Sequence, residues 1–128
     1  MNSLEEKVRK TLAEVSGGKG FNFAAIIERE DASGRWDLVV SSDKISDWSG
    51  KRAFLEAVTT RFSKELSDKE LIDMGIIEVL DPDEKFMRDF NQKFSPTEED
   101  QDFFNLTIAG IPVRHAHVFG SETRMVYA

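Results

Sequence analysis

Apolar residues follow helical and strand spacing in successive segments of this chain, and the order of those segments restricts the fold more than any other feature. Helical spacing is found in 4–15, 51–66, a short turn between 67 and 75, and 82–94. Strand spacing is found in 21–29, 35–41, 76–80, 103–108 and 111–119, and a last short strand is predicted over 123–127. The main elements therefore follow the order α-β-β-α-(α)-β-α-β-β, which lacks the regular alternation of an α/β protein.

Two pairs of strands are close enough in sequence to form β-hairpins. The turn at 31–34 connects the first pair, and the dipeptide Ala109-Gly110 connects the last pair. Because hairpins pair antiparallel, the sequence predicts an α+β fold with a mainly antiparallel sheet of about five strands. We expect three to four helices to pack on one face of this sheet, in a single globular domain spanning 1–128.

Two local patterns lead to specific structural expectations. The segment 81–84 (DPDE) is typical of a helix start, because Asp81 can accept hydrogen bonds from backbone amides and Pro82 suits the first helical position. Asp37 lies inside the predicted strand 35–41. We expect its side chain to be exposed, because charged groups are rarely buried without a partner.

The charge of the chain restricts the kind of partner. The net charge is −7, and the segment 65–102 alone carries thirteen acidic and four basic residues, a net of −9. Nucleic acid is not an expected partner, because binding a polyphosphate needs a concentrated basic surface. The acidic segment favours solvation or contact with a basic partner protein.

The absence of cysteine excludes disulfides, thiol nucleophiles and thiolate metal sites. No apolar stretch approaches the roughly 18 residues of a membrane span, and the N-terminal residues show no secretory pattern. We therefore predict a cytoplasmic protein that has no membrane partner.

The two histidines are the pattern that suggests a metal site. His115 and His117 lie two residues apart in a predicted strand, so their side chains point to one face with Cα atoms about 6.5 Å apart. Together with Gly110 and Glu122 they form the string Gly110-x4-His115-x-His117-x4-Glu122, which partly resembles the first metal motif of cupins. The glycine spacing differs from that motif by one residue, and the predicted helices do not suit an all-β barrel. We therefore reject the family and keep a local metal site of His115, His117 and Glu122.

The Ala109-Gly110 turn predicts which residues face the histidines. Counting from it pairs Ile108 with Ile111, Leu106 with Val113, Phe104 with His115 and Asp102 with His117. Asp102 is therefore the alternative carboxylate ligand for Zn²⁺, Ni²⁺ or Fe²⁺. This register also places the histidines on one face with Ile111, Val113 and Phe119. The structural alternative puts both rings at the rim of the core, bonded to carboxylates or backbone.

Phe86, Phe90 and Phe94 recur at helical spacing, which predicts a helix packed on the sheet, with a dimer seam or a groove for another chain as the alternative. The sequence contains no GxSxG motif and no cofactor fingerprint, so no cofactor is predicted. We predict a non-catalytic interaction or regulatory protein that is homo-oligomeric. Two alternatives stay open: a small-ligand or metal-binding protein centred on His115 and His117, and an enzyme acting on a small metabolite.

Overall fold

The computed structural model describes residues 3–15, 21–32, 34–42, 45, 48–94 and 99–120 of the chain. These residues form an α+β fold with one five-stranded sheet and four α-helices, as expected. The helices are α1 (Leu4–Val15), α2 (Trp48–Glu65), α3 (Asp68–Asp73) and α4 (Lys85–Lys93). The strands are β1 (Phe23–Arg29), β2 (Trp36–Ser41), β3 (Met74–Leu80), β4 (Gln101–Ile108) and β5 (Ile111–Val118). The short strand predicted over 123–127 lies outside the described residues.

The strands lie in the order β3-β2-β1-β5-β4. The β1–β2 and β4–β5 hairpins pair antiparallel, and β5 pairs antiparallel with β1. The expectation of a mainly antiparallel sheet is therefore confirmed, and β2 with β3 is the one parallel pair among the five described strands. The helices α2 and α3 supply the crossover that parallel strands require. Within the described part of the chain, no helix is long and apolar enough to cross a membrane.

Helices cover both faces of the sheet, so the expectation that they pack on one face is wrong. Strand β1 explains this arrangement, because its residues 23–27 are buried on both sides of the sheet. One face, which we call the α1/α2 face, buries Ala24 and Ile26 together with Val8, Leu12, Phe54, Val58 and Phe62. The other, which we call the α4 face, buries Phe23, Ala25 and Ile27 together with Met87 and Phe90.

The three phenylalanines of α4 pack against the sheet. Phe90 is buried, with its ring 4.7 Å from that of Phe23. Phe94 is half-buried, with its ring 4.3 Å from that of Phe103, and Phe86 contacts Phe23 at 6.0 Å. In the described structure the phenylalanine stripe therefore serves the packing of helix on sheet.

Helix α4 begins later than the local pattern predicts. It starts at Lys85, and residues 81–84 form a turn in which the Glu84 amide donates to the Asp81 carbonyl at 3.0 Å. The Asp81 carboxylate lies 3.1 Å from Lys51 Nζ on α2. The prediction that Asp81 caps the helix is wrong, because its side chain is engaged by a helix that is distant in sequence.

Candidate functional site

The β4–β5 hairpin places both histidines in the register that the sequence predicts. Phe104 pairs with His115, and Asp102 pairs with His117. The turn residues Ala109 and Gly110 have φ values of 51° and 80°, as a two-residue turn of type I′ requires. The position of Asp102 beside the histidines is thus confirmed.

A chain of charged and polar contacts runs through the two histidines. His115 Nε2 and His117 Nδ1 lie 2.7 Å and 3.0 Å from the same oxygen, Asp102 Oδ1. His117 Nε2 lies 3.0 Å from Asp100 Oδ2, and Arg9 of α1 forms an ion pair with that carboxylate. We call Arg9, Asp100, Asp102, His115 and His117 the histidine cluster. It ties α1 to the β4–β5 hairpin.

Both carboxyl groups of the histidine cluster have pKa values below their ordinary range. Burial acts to raise the pKa of Asp100, but hydrogen bonds from the Gly120 amide, Arg9 and His117 outweigh it and lower the pKa. Burial also acts to raise the pKa of Asp102, and the hydrogen bonds with the two histidines outweigh it. Both groups are therefore anionic at neutral pH and stabilise the contacts around them.

A bulge in β5 determines which face the histidines occupy. In the pairing of β1 with β5, Glu28 faces His115 and Arg29 faces Val113, so one extra residue of β5 is accommodated between them. Val113 consequently packs on the α4 face, whereas Phe119 packs on the α1/α2 face, with its ring 5.1 Å from that of His117. The expectation that the histidines share a face with Phe119 is right. The expectation that they share it with Val113 is wrong.

Two aromatic rings enclose His115. Phe104 is stacked on it at 4.3 Å with an interplanar angle of 17°, and Trp36 meets it edge-on at 5.0 Å. Sequence reasoning identified Phe104 as a neighbour but missed Trp36, Arg9 and Asp100. The i, i+2 spacing of Asp100 and Asp102 could have identified Asp100 as a further neighbour of the histidines. Arg9 and Trp36 come from distant segments and leave no local signal.

The described ring nitrogens of both histidines contact carboxylate oxygens. Among the residues that the structure describes, no group of three or more histidine, cysteine or acidic side chains is placed to hold a metal ion. Glu122, one of the predicted ligands, lies outside those residues. The metal site of His115, His117 and Glu122, or of Asp102 in its place, therefore stays a prediction. Native mass spectrometry before and after a chelator tests it.

A concave region lies on the α4 face beside β3. Phe86 of α4 lines one side of this region, and residues of β1, β2, β3 and β5 line the rest. The region is a partly open cavity of about 100 Å³, which we call the notch. Its lining includes the apolar side chains of Ile27, Val39, Ile76, Ile111 and Val113. Two of these, Ile76 and Ile111, are 47% and 37% exposed.

An ion pair forms the polar part of the notch. Asp37 Oδ2 lies 3.2 Å from Arg29 Nε, and Asp37 Oδ1 accepts a hydrogen bond of 2.9 Å from the Ile76 amide. Asp37 is only 6% exposed, so the expectation of an exposed side chain is wrong. The register of β2 with β3 shifts between Trp36 and Leu38, and the Asp37 carboxylate binds the Ile76 amide at this shift. Gly75 leaves room for it, because a Cβ there would overlap Asp37 Oδ1.

A second concavity, of about 400 Å³, lies between α4 and the β4–β5 turn and is wider and more open than the notch. Its lining is mostly polar and includes Lys85, Arg88 and Asp89. Asp89 is already engaged by the Ala109 amide at 2.6 Å and by Lys93 at 3.1 Å, and these two contacts lower its pKa. The notch is therefore the better candidate for a contact surface, because it combines exposed apolar side chains with a more enclosed shape.

Comparison of the chain with models of known protein families, with curated proteins and with solved structures finds no match.

Proposed function

We propose that this chain is a non-catalytic interaction module and that the notch is the surface on which it receives a partner protein. The observation that carries this proposal is the exposure of Ile76 and Ile111 around an apolar recess. Apolar side chains that gather on a surface mark contact sites, because burying them against a partner removes them from water. The absence of cysteine fits a reducing compartment, and we place the module in the cytoplasm.

The size and chemistry of the notch favour a partner side chain over a metabolite. A cavity of about 100 Å³ is smaller than the roughly 300–1,000 Å³ of ordinary small-molecule pockets. Its buried acid, Asp37, is already engaged by Arg29 and by the Ile76 amide. A small substrate would therefore find little room there, whereas one or two aliphatic side chains of a partner would fit.

The contacts of the histidine cluster support a structural role for its side chains. Its carboxylates bind the histidine rings, a backbone amide and an arginine, and Trp36 and Phe104 cover the His115 ring. Mutual contacts of this kind hold a helix to a hairpin without any reacting group.

Selection of displayed random peptides against the full chain tests the proposal. The Ile76→Arg variant places a long charged side chain at the rim of the notch. The Thr59→Arg variant is a matched control, because it adds the same side chain at an exposed position of α2, on the other side of the sheet. We expect selected peptides to bind the wild type and Thr59→Arg equally and to lose at least about tenfold in affinity to Ile76→Arg. Peptides that bind all three proteins equally would refute the proposal.

The homo-oligomer that the sequence suggests is a separate proposal, and its test also shows whether a second copy occupies the notch. Native mass spectrometry of the wild type and of Ile76→Arg measures it directly. A dimer that dissociates in Ile76→Arg but persists in Thr59→Arg would identify the notch as a homo-oligomer interface. A dimer unaffected by both would place the oligomer contact elsewhere.

A further inference from the structure

We propose that the partner contributes an extended segment with basic and aliphatic side chains, which adds as a strand to the outer edge of β3. This inference rests on the proposed function of the notch and specifies the chemistry of the occupant.

The position of β3 in the sheet supports strand addition. β3 is an outer strand and pairs with β2 alone among the described residues. An outer strand presents unpaired N–H and C=O groups, which a further strand can bind. Ile76 and Glu78, on β3, both line the notch. A strand added about 4.8 Å away would place every second side chain on this same face, beside the notch.

The other outer strand, β4, is less suited to receive a partner strand. Asn105 in its centre has a φ of 55°, outside the range of extended backbone. Such a residue interrupts the regular row of outward N–H and C=O groups. β3 has no described residue with positive φ.

Carboxylates that form no ion pair with the described residues give the β3 edge its charge preference. Asp73, Glu78 and Asp83 lie just before, within and just after β3, and no described basic side chain forms an ion pair with any of them. Within the notch the positive charge of Arg29 is matched by Asp37 and Asp31. Lysine and arginine side chains suit such a surface, because their aliphatic stems can lie on Ile76 while their charged ends meet the carboxylates.

The same charges argue against a second copy of this chain at the β3 edge. Each copy carries a net charge of −7, and its acidic excess lies in the segment that contains β3. Two β3 edges brought together would place acidic side chains such as Glu78 near each other, and like charges across adjacent strands are destabilising. A basic segment meets no such repulsion.

Three synthetic peptides test the inference by fluorescence anisotropy with the full chain. The probe is acetyl-KVRVKVR-amide with a fluorescent label. One control replaces its basic residues by glutamate, and the other carries N-methyl groups on alternate backbone amides. We expect the basic probe to bind, and each control to bind at least about tenfold more weakly. Glu78→Gln should weaken the basic probe about threefold, whereas Glu56→Gln, on the exposed side of α2, should leave its affinity unchanged.

The outcomes separate this inference from the proposed function. If Ile76→Arg abolishes binding of the probe, but the glutamate and N-methyl controls bind as well as the probe does, the proposal of a basic added strand is overturned. The notch then remains a contact surface. If no peptide shows Ile76-dependent binding, and the displayed library also yields none, both proposals are overturned. A dimer that depends on Ile76 would assign the β3 edge to a second copy and overturn the basic partner.

Discussion

Gly75→Ala should lower the free energy of unfolding by about 1–2 kcal/mol, although it adds only one methyl group. The new Cβ would overlap Asp37 Oδ1 and approach its Cγ to 3.3 Å. Asp37 is buried and bonded to the Ile76 amide, so making room forces that carboxylate out of its hydrogen bond. Overpacking of this kind costs about 1–3 kcal/mol. The reduced entropy of the unfolded chain offsets about 0.5–1 kcal/mol of it.

Equilibrium unfolding in urea, followed by far-UV circular dichroism at neutral pH, measures this change as a shift in midpoint at constant slope. A double-mutant cycle with Asp37→Ala isolates the cause. In the Asp37→Ala background the overlapping oxygen is gone, so Gly75→Ala should be close to neutral and the coupling energy should be about 1–3 kcal/mol.

Gly34→Ala is the matched control for a glycine that is constrained by its backbone alone. Gly34 has a φ of 86°, and a Cβ there would meet no atom within 4 Å. Its substitution should cost about 1–2 kcal/mol through the left-handed backbone and should add independently to Asp37→Ala. A Gly75→Ala protein as stable as the wild type, or a cycle in which Gly75→Ala and Asp37→Ala are additive, would refute the close approach of Gly75 to Asp37.

Two further predictions concern the histidine cluster and the core. The lowered pKa values of Asp100 and Asp102 give the folded state a stabilisation that is present above the unfolded pKa of about 3.9 and is lost as the pH falls through the folded values. In the double variant Asp100→Asn/Asp102→Asn, the free energy of unfolding should therefore fall less steeply below about pH 4 than in the wild type. Urea unfolding at a series of pH values measures this. Asp68→Asn, at an exposed position of α3 that forms no ion pair with the described residues, is the control substitution. Phe90→Ala should cost about 3–5 kcal/mol in urea unfolding. Phe104→Ala should cost less than about 1 kcal/mol, because that side chain is 62% exposed. Equal losses in the two variants would contradict the burial of Phe90 and the exposure of Phe104.

Local sequence signals were sufficient for much of the fold. Spacing of apolar residues predicted the helices and strands, because each element must present an apolar side to the core. The Ala109-Gly110 dipeptide predicted the β4–β5 register, and with it the contact between Asp102 and the histidines. A two-residue turn leaves only one alignment of its flanking strands, so that contact needed no knowledge of the rest of the chain.

The tertiary structure decided the features that depend on which distant segments meet. Lys51 of α2 forms an ion pair with Asp81, which therefore does not cap α4. Arg29 of β1 forms the ion pair that permits Asp37 to be buried. The bulge of β5 against β1 moves the histidines to the face opposite Val113. Covering both sides of β1 requires helices on both faces of the sheet. Spacing along the chain reports the side chains of one segment, whereas a bulge or a buried ion pair forms only when a second segment lies beside it.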